Sequence, residues 1–160
     1  MDEPAQAACP SCGAAGRPVA DKTIRAILTP AQASPMLAVG RRFCRTPSCE
    51  LVYYGEDGRA IGKGDVPVRV GLKEREDPVP LCYCFGFSRA DVRVELALGG
   101  QCTIPARIAA EIRAGRCACA IKNPSGACCL GDVNRAVQEE QEALQAEAQS
   151  QAHLRRTGIA

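Results

Sequence analysis

Eleven cysteines in a chain of 160 residues with 4% aromatic residues and no tryptophan restrict how this protein can hold itself together. A core short of aromatic bulk leans on disulfides, metals or oligomers. Disulfides need an oxidising compartment. The opening residues Met1 to Gln6 carry neither the basic start nor the apolar run of a secretory leader. No stretch approaches the ~18 consecutive apolar residues of a membrane span. An odd number of cysteines also suits complete pairing poorly. These features predict a cytoplasmic protein, without membrane insertion, whose thiols are metal ligands.

Charge narrows the function classes. Twenty basic and 18 acidic residues leave a net charge of +2, too balanced to argue for a nucleic-acid or membrane partner. Arg41, Arg42 and Arg45 form a small basic patch that reads as a solvated face. His153 reads as a solvated residue of a polar tail. No Ser/His/Asp set, phosphate-binding loop or dinucleotide fingerprint is present, so hydrolase and nucleotide chemistry are not indicated.

The chain divides by texture into residues 1–80, 81–133 and 134–160, and the expected fold class is α+β. In the first region, Asp21 is placed to cap a short helix through Leu28, stopped by Pro30. Leu51–Tyr54, the turn signal Asp57-Gly58 and Arg59–Ile61 predict a hairpin, and Val66–Val70 a short edge strand containing Pro67. In the second region, Ser88 and Asp91 form a near capping box before a helix that Gly99-Gly100 ends. Thr103 is placed to cap another, with Pro105 in its first turn and Gly115 after its end. The last region, rich in Ala, Gln and Glu, predicts a solvated helix starting near Leu130–Asp132.

Two constellations carry chemistry. Cys9-Pro10-Ser11-Cys12-Gly13 is a C-x₂-C knuckle, and Cys44 and Cys49 form a C-x₄-C pair downstream. Two thiolates on each of two tight turns can reach one tetrahedral ion, so Cys9, Cys12, Cys44 and Cys49 are the candidate ligands of a closed structural zinc site. A rubredoxin-like iron site has the same ligand set. Separately, Cys82-Tyr83-Cys84 is a C-x-C pair, a spacing better suited to a cluster than to a zinc knuckle. Cys117, Cys119, Cys128 and Cys129 offer four more thiols beyond the two predicted helices. Thiolates at the start of the last helix would gain from its dipole and free N–H groups.

Pro78–Gly86, with its C-x-C, and Asn123-Pro124-Ser125-Gly126-Ala127-Cys128-Cys129-Leu130-Gly131 together resemble the cysteine-rich N-terminal domain of CopZ-type copper chaperones. Phe43–Tyr54 and Val70–Glu76 fit the same family, and the match runs in order over about residues 8–133. The resemblance implies a zinc ion in the first region and a 2Fe–2S cluster in the second. That second region is also similar to bacterioferritin-associated ferredoxin. Carried over by position, zinc would lie on Cys9, Cys12, Cys44 and Cys49. The cluster would lie on Cys82, Cys84, one of Cys117 or Cys119, and one of Cys128 or Cys129, with Cys119 and Cys129 preferred. The organisation implied is a small zinc-stabilised β-rich lobe (1–80), a helical 2Fe–2S lobe (81–133) and a polar C-terminal helix and tail (134–160).

The function expected on that resemblance is a one-electron redox module in copper or other metal handling, such as reduction of Cu(II) to Cu(I). The expected partner is a copper chaperone or a copper-transporting ATPase. The M-x-C-x-x-C loop of the family's copper-binding domain does not occur in this sequence, so hand-off through that site is not expected. Alternative readings are a soft-metal module in which spare thiols, Cys102 among them, bind or sense Cu(I), and a carrier that donates its cluster.

Overall fold

The computed structural model describes residues 7–158. Four short antiparallel strands form one sheet in chain order: β1 (Arg17–Pro18), β2 (Arg41–Phe43), β3 (Leu51–Gly55) and β4 (Ala60–Gly62). Register is set between β2 and β3, where Arg42 faces Tyr54 and Phe43 faces Tyr53. The expected β3–β4 hairpin forms, and Gly58 supplies the positive φ (91°) of its turn. Two helices sit between β1 and β2: α1 (Asp21–Ile27) and α2 (Pro30–Leu37).

Several details differ from expectation. Asp21 is the first residue inside α1 and caps nothing; it is ion-paired with Arg41. Pro30 starts α2, which the sequence reading did not anticipate. Thr29 and Gln32 exchange capping bonds there, and a proline at the first helical position gives up only an N–H that would be unpaired anyway. No strand forms over Val66–Val70. Pro67 cannot donate to a ladder, and Val66 and Val70 instead turn into the core.

The second half opens with a two-stranded ribbon, β5 (Pro80–Cys82) and β6 (Phe87–Ser88). Helices α3 (Arg89–Gly99), α4 (Ile104–Arg113), α5 (Cys119–Lys122) and α6 (Leu130–Arg156) follow. The Ser88–Asp91 capping box is complete, with Ser88 N donating to the Asp91 carboxylate at 2.8 Å. Gly100 closes α3 in the left-handed region (φ 72°). Thr103 stands at the N-cap of α4, but its hydroxyl donates to Glu95 at 3.0 Å instead of capping the helix. Helix α6 buries Val133 and Ala136 against α3 and α4 and is exposed from residue 145 onward. Arg89 and Arg93 of α3 hold it through Glu139 and Glu140.

Apolar side chains gather in two larger clusters. One joins α1, α2 and the sheet through Ile24, Ile27, Met36, Phe43, Val52 and Tyr53. The other joins β5, α3, α4 and α6 through Leu81, Val92, Leu96, Ile104, Ile108 and Val133. Direct hydrogen bonds cross between them. The Thr23 hydroxyl donates to the Ala120 carbonyl at 2.5 Å, and the buried Tyr53 hydroxyl donates to the Pro124 carbonyl.

Tyr53→Phe leaves that carbonyl without its partner in a closed junction and is expected to cost about 1–3 kcal/mol. Ser88→Ala, which loses the cap of α3, is expected to cost about 1 kcal/mol. Urea denaturation of the metal-loaded chain checks both, as a lowered midpoint with an unchanged slope.

Candidate metal centres

The first knuckle is a tight turn. Gly13 N donates to the Cys9 carbonyl at 2.8 Å, Cys9 N donates to the Ala14 carbonyl at 2.9 Å, and Gly13 takes a φ of 75°. Cys44 follows β2 directly, and Cys49 precedes β3, so the β2–β3 connection presents both sulfurs from one loop. The four thiols of Cys9, Cys12, Cys44 and Cys49 converge, with all sulfur atoms within 4.8 Å of one another. Cys9 and Cys49 sulfurs are 3.9 Å apart, and Cys12 and Cys44 sulfurs 3.7 Å. A zinc ion at about 2.3 Å from each of four tetrahedral sulfurs requires edges of about 3.8 Å. The donor set and its spacing therefore fit zinc with little rearrangement.

Tyr54 braces this group. Its hydroxyl accepts from Gly16 N at 2.8 Å and donates to the Ala7 carbonyl at 2.7 Å, which ties the first knuckle to β3. A Cβ at Gly16 would lie 2.6 Å from both the Phe43 carbonyl oxygen and that hydroxyl, so the close approach requires glycine there. Proton affinities are uneven. The Thr46 hydroxyl and the Ala14 backbone hold the Cys12 thiol down to about 6. Burial pushes Cys44 up to about 11. Burial also works against ionisation of Cys49, but hydrogen bonds from the Leu51 backbone and from Ser11 outweigh it and lower that thiol.

The second group lies where β5, α5 and α6 meet. Cys82 ends β5, Cys84 follows in the turn to β6, Cys119 opens α5, and Cys129 is the N-cap of α6. Cys84 and Cys119 sulfurs are 3.5 Å apart. Cys82 and Cys129 shift each other's proton affinity, and Cys119 also acts on that of Cys129. Cys82, Cys119 and Cys129 are buried in the second apolar cluster, and the half-buried Cys84 packs against it. Of the thiols that the sequence left open, Cys119 and Cys129 are buried in this group, whereas Cys117 and Cys128 face solvent. Cys102 is half-buried beside Glu95, outside both groups.

Within that group, the neighbouring Cys129 thiol lowers Cys82 to about 6, and Cys82 together with burial raises Cys129. Burial pushes Cys119 up to about 11. Protons or cations must offset the charge that three buried thiolates and the half-buried Cys84 would carry, which suits a cationic metal group. The first turn of α6 adds free N–H groups on the same side. The loop before it is locked from within. Asn123 accepts from the Ser125 backbone at 3.1 Å and the Ser125 hydroxyl at 3.0 Å, and donates to the Ala127 carbonyl at 2.9 Å.

Sequence reasoning named the cysteines but not their supports. Tyr53 and Tyr54 registered only as β-prone residues, although on alternate faces of β3 each one braces a different cysteine-bearing loop. Thr23, Lys73 and Tyr83 gave no local signal, because their roles depend on partners far along the chain.

Known proteins place this geometry in context. Residues 6–67 match the family described as "Zinc binding domain", zf_CopZ. "Copper chaperone CopZ" of Archaeoglobus fulgidus is 36% identical over 129 residues, which are 79% of this chain and 60% of that protein. The chain thus spans 60% of the length of this curated relative. The X-ray structure of the Archaeoglobus fulgidus CopZ N-terminal domain superposes with a TM-score of 0.64 at 32% identity, over 81% of this chain and 96% of that one. Among the described residues, no helix is long and apolar enough to cross a membrane.

Two outcomes are expected. Cys44→Ser removes a buried sulfur and reduces zinc content to a small fraction of one ion per chain, as read by elemental analysis after gel filtration. Because Cys44 holds its proton at neutral pH, zinc uptake at pH 7 releases protons and the affinity rises with pH. Below about pH 6 Cys12 is protonated as well, and the affinity falls more steeply. Calorimetric zinc titrations in buffers of different ionisation enthalpy, repeated from pH 5.5 to 8, check the sign and the break.

Proposed function

We propose that this chain, which belongs to the CopZ N-terminal-domain family, is a metal-handling protein that holds one structural zinc ion and one 2Fe–2S cluster and serves as a one-electron module for copper. Zinc takes Cys9, Cys12, Cys44 and Cys49, whose four sulfurs already stand at tetrahedral spacing. With every sulfur of that set used, no position stays open for substrate, so this ion is a fold element. The zinc-binding lobe extends over residues 1–80, the cluster lobe over 81–133 and the C-terminal helix and tail over 134–160.

The observation that carries the second assignment is the gathering of four cysteines where β5, α5 and α6 meet, with the Cys84 and Cys119 sulfurs 3.5 Å apart and Cys82 and Cys129 buried in the same apolar cluster. Two irons need two thiolates each, and this group supplies four. A single tetrahedral ion would need all four at one centre, as Cys9, Cys12, Cys44 and Cys49 are. When bound, the cluster supplies one-electron transfer, the chemistry that separates Cu(II) from the Cu(I) that thiolates prefer. The residues of this chain exclude water through Leu81, Phe85, Ile108 and Val133, and they direct the first turn of α6 at the thiolates. Their contribution is position and potential. The partner proposed is a copper-carrying or copper-transporting protein.

A second reading has an observation of its own. Cys117 and Cys128 are exposed within two residues of Cys119 and Cys129, so the same region offers accessible soft ligands for Cu(I). Anaerobic purification followed by a visible spectrum and metal analysis tests both readings. Two irons, one zinc and a 2Fe–2S spectrum per chain are expected, with Cys82→Ser and Cys129→Ser losing iron and Cys117→Ser and Cys128→Ser keeping it. A chain that refuses iron on reconstitution yet takes up Cu(I) through Cys117 and Cys128 would replace the redox module with the binding module.

A further inference from the structure

Among the described residues, Lys73 is the charged side chain that is almost wholly buried, at 3% exposure. Its ammonium donates to the Thr46 carbonyl at 2.7 Å and to the Cys49 carbonyl at 3.1 Å. Both acceptors belong to the loop that carries Cys44 and Cys49. No ion pair among the described residues includes Lys73. Carbonyl dipoles alone compensate a buried ammonium poorly, and a buried charge without a countercharge is strongly unfavourable. Because Thr46 lies between Cys44 and Cys49 and the second acceptor is the carbonyl of Cys49 itself, the ammonium is held beside the thiols of the first metal centre. A dication with four thiolates keeps a net charge of about −2.

We infer that Lys73 is a positioning residue of the Cys9, Cys12, Cys44 and Cys49 centre, its buried ammonium supplying the fixed positive charge against which that centre's excess negative charge is held. The inference rests on the proposed zinc ligation. Lys73 lies beyond the zinc-binding family match, which ends at residue 67, so the charge arrives from outside that segment.

The lysine is presented by a rigid support. It ends a single 3₁₀ turn, Gly71–Lys73, and Lys73 N donates to the Val70 carbonyl at 2.8 Å. Gly71 N donates to the Tyr83 hydroxyl at 2.7 Å, and that hydroxyl donates to the Arg69 carbonyl at 3.0 Å. The turn sits so close to β5 that a Cβ at Gly71 would lie 1.8 Å from the Pro80 carbonyl oxygen. The backbone that carries the lysine is therefore held against β5, and the ammonium ties the loop to it: the Thr46 carbonyl accepts from both Lys73 and Cys49 N, the latter at 3.1 Å, and the Cys49 carbonyl accepts from Lys73.

The test uses the full chain loaded with zinc. Lys73→Met removes charge and donor, Lys73→Gln keeps a donor without charge, and Lys73→Arg keeps the charge. Two rates are read: zinc transfer to a chromogenic chelator and alkylation of the metal-bound thiolates by iodoacetamide. Circular dichroism reports folding. Lys73→Met and Lys73→Gln are expected to release zinc at least about tenfold faster than wild type and to alkylate faster, with Lys73→Arg close to wild type. If Lys73→Met does not fold, the contrast between Lys73→Gln and Lys73→Arg decides. Wild-type rates in Lys73→Gln would overturn the electrostatic role, and so would a Lys73→Arg variant as fast as Lys73→Gln. A wild-type chain that retains no zinc overturns the zinc assignment itself, an outcome distinct from both.

Discussion

Sulfur atoms that carry negative charge cannot remain buried without a cation, and this protein buries many. Cys9, Cys44 and Cys49 form a cluster with Tyr54, and Cys82, Cys119 and Cys129 belong to the second apolar cluster. Their side chains fill space that large aromatics would otherwise occupy, so the candidate ligands are part of the core. At the four-cysteine zinc site, metal binding favours the ordered chain, because the four converging sulfurs exist only there. The uneven proton affinities of the thiols follow from the same crowding, since few of them can ionise together without a cation among them.

The two centres use different local devices. The first stands on tight turns and the β2–β3 connection, where short loops and a glycine with positive φ aim four sulfurs at a point. The second candidate stands where a strand end meets two helix starts, which bring Cys82, Cys84, Cys119 and Cys129 together without converging all four sulfurs as tightly as in the first. Between them runs a set of hydrogen bonds that neither centre could form alone. Tyr54 braces the first knuckle while Tyr53 holds the Pro124 carbonyl, and Thr23 of α1 holds Ala120 beside Cys119. The turn Gly71–Lys73 contributes at both ends, through Lys73 to the Cys49 loop and through Gly71 to Tyr83 between Cys82 and Cys84.

Much of this plan is written locally. The Ser88–Asp91 capping box, the Asp57-Gly58 hairpin and the Gly100 stop were legible because each depends on residues within a few positions of one another. The knuckle spacings were legible for the same reason. Pro30 illustrates the converse. A proline reads equally as the end of one helix and the start of the next, and only the Thr29–Gln32 cap distinguishes them. Val66–Val70 shows the limit of propensity: Val66 and Val70 went to the core without a partner strand while Val68 stays exposed, because burial is what the first two gain.

The sequence by itself determined which residues can bind soft metals, their grouping into a first set of four and a later, larger set, and the helices and turns that flank them. Cysteine spacing carries that information, because ligands on one turn must share one ion. Only the tertiary structure decided which of Cys117, Cys119, Cys128 and Cys129 lie with Cys82 and Cys84, since packing against the core buries Cys119 and Cys129 and leaves Cys117 and Cys128 in water. It also decided the placement of Lys73, Tyr53, Tyr54 and Thr23. Their partners lie 24 to 97 residues away along the chain, where no local pattern reaches.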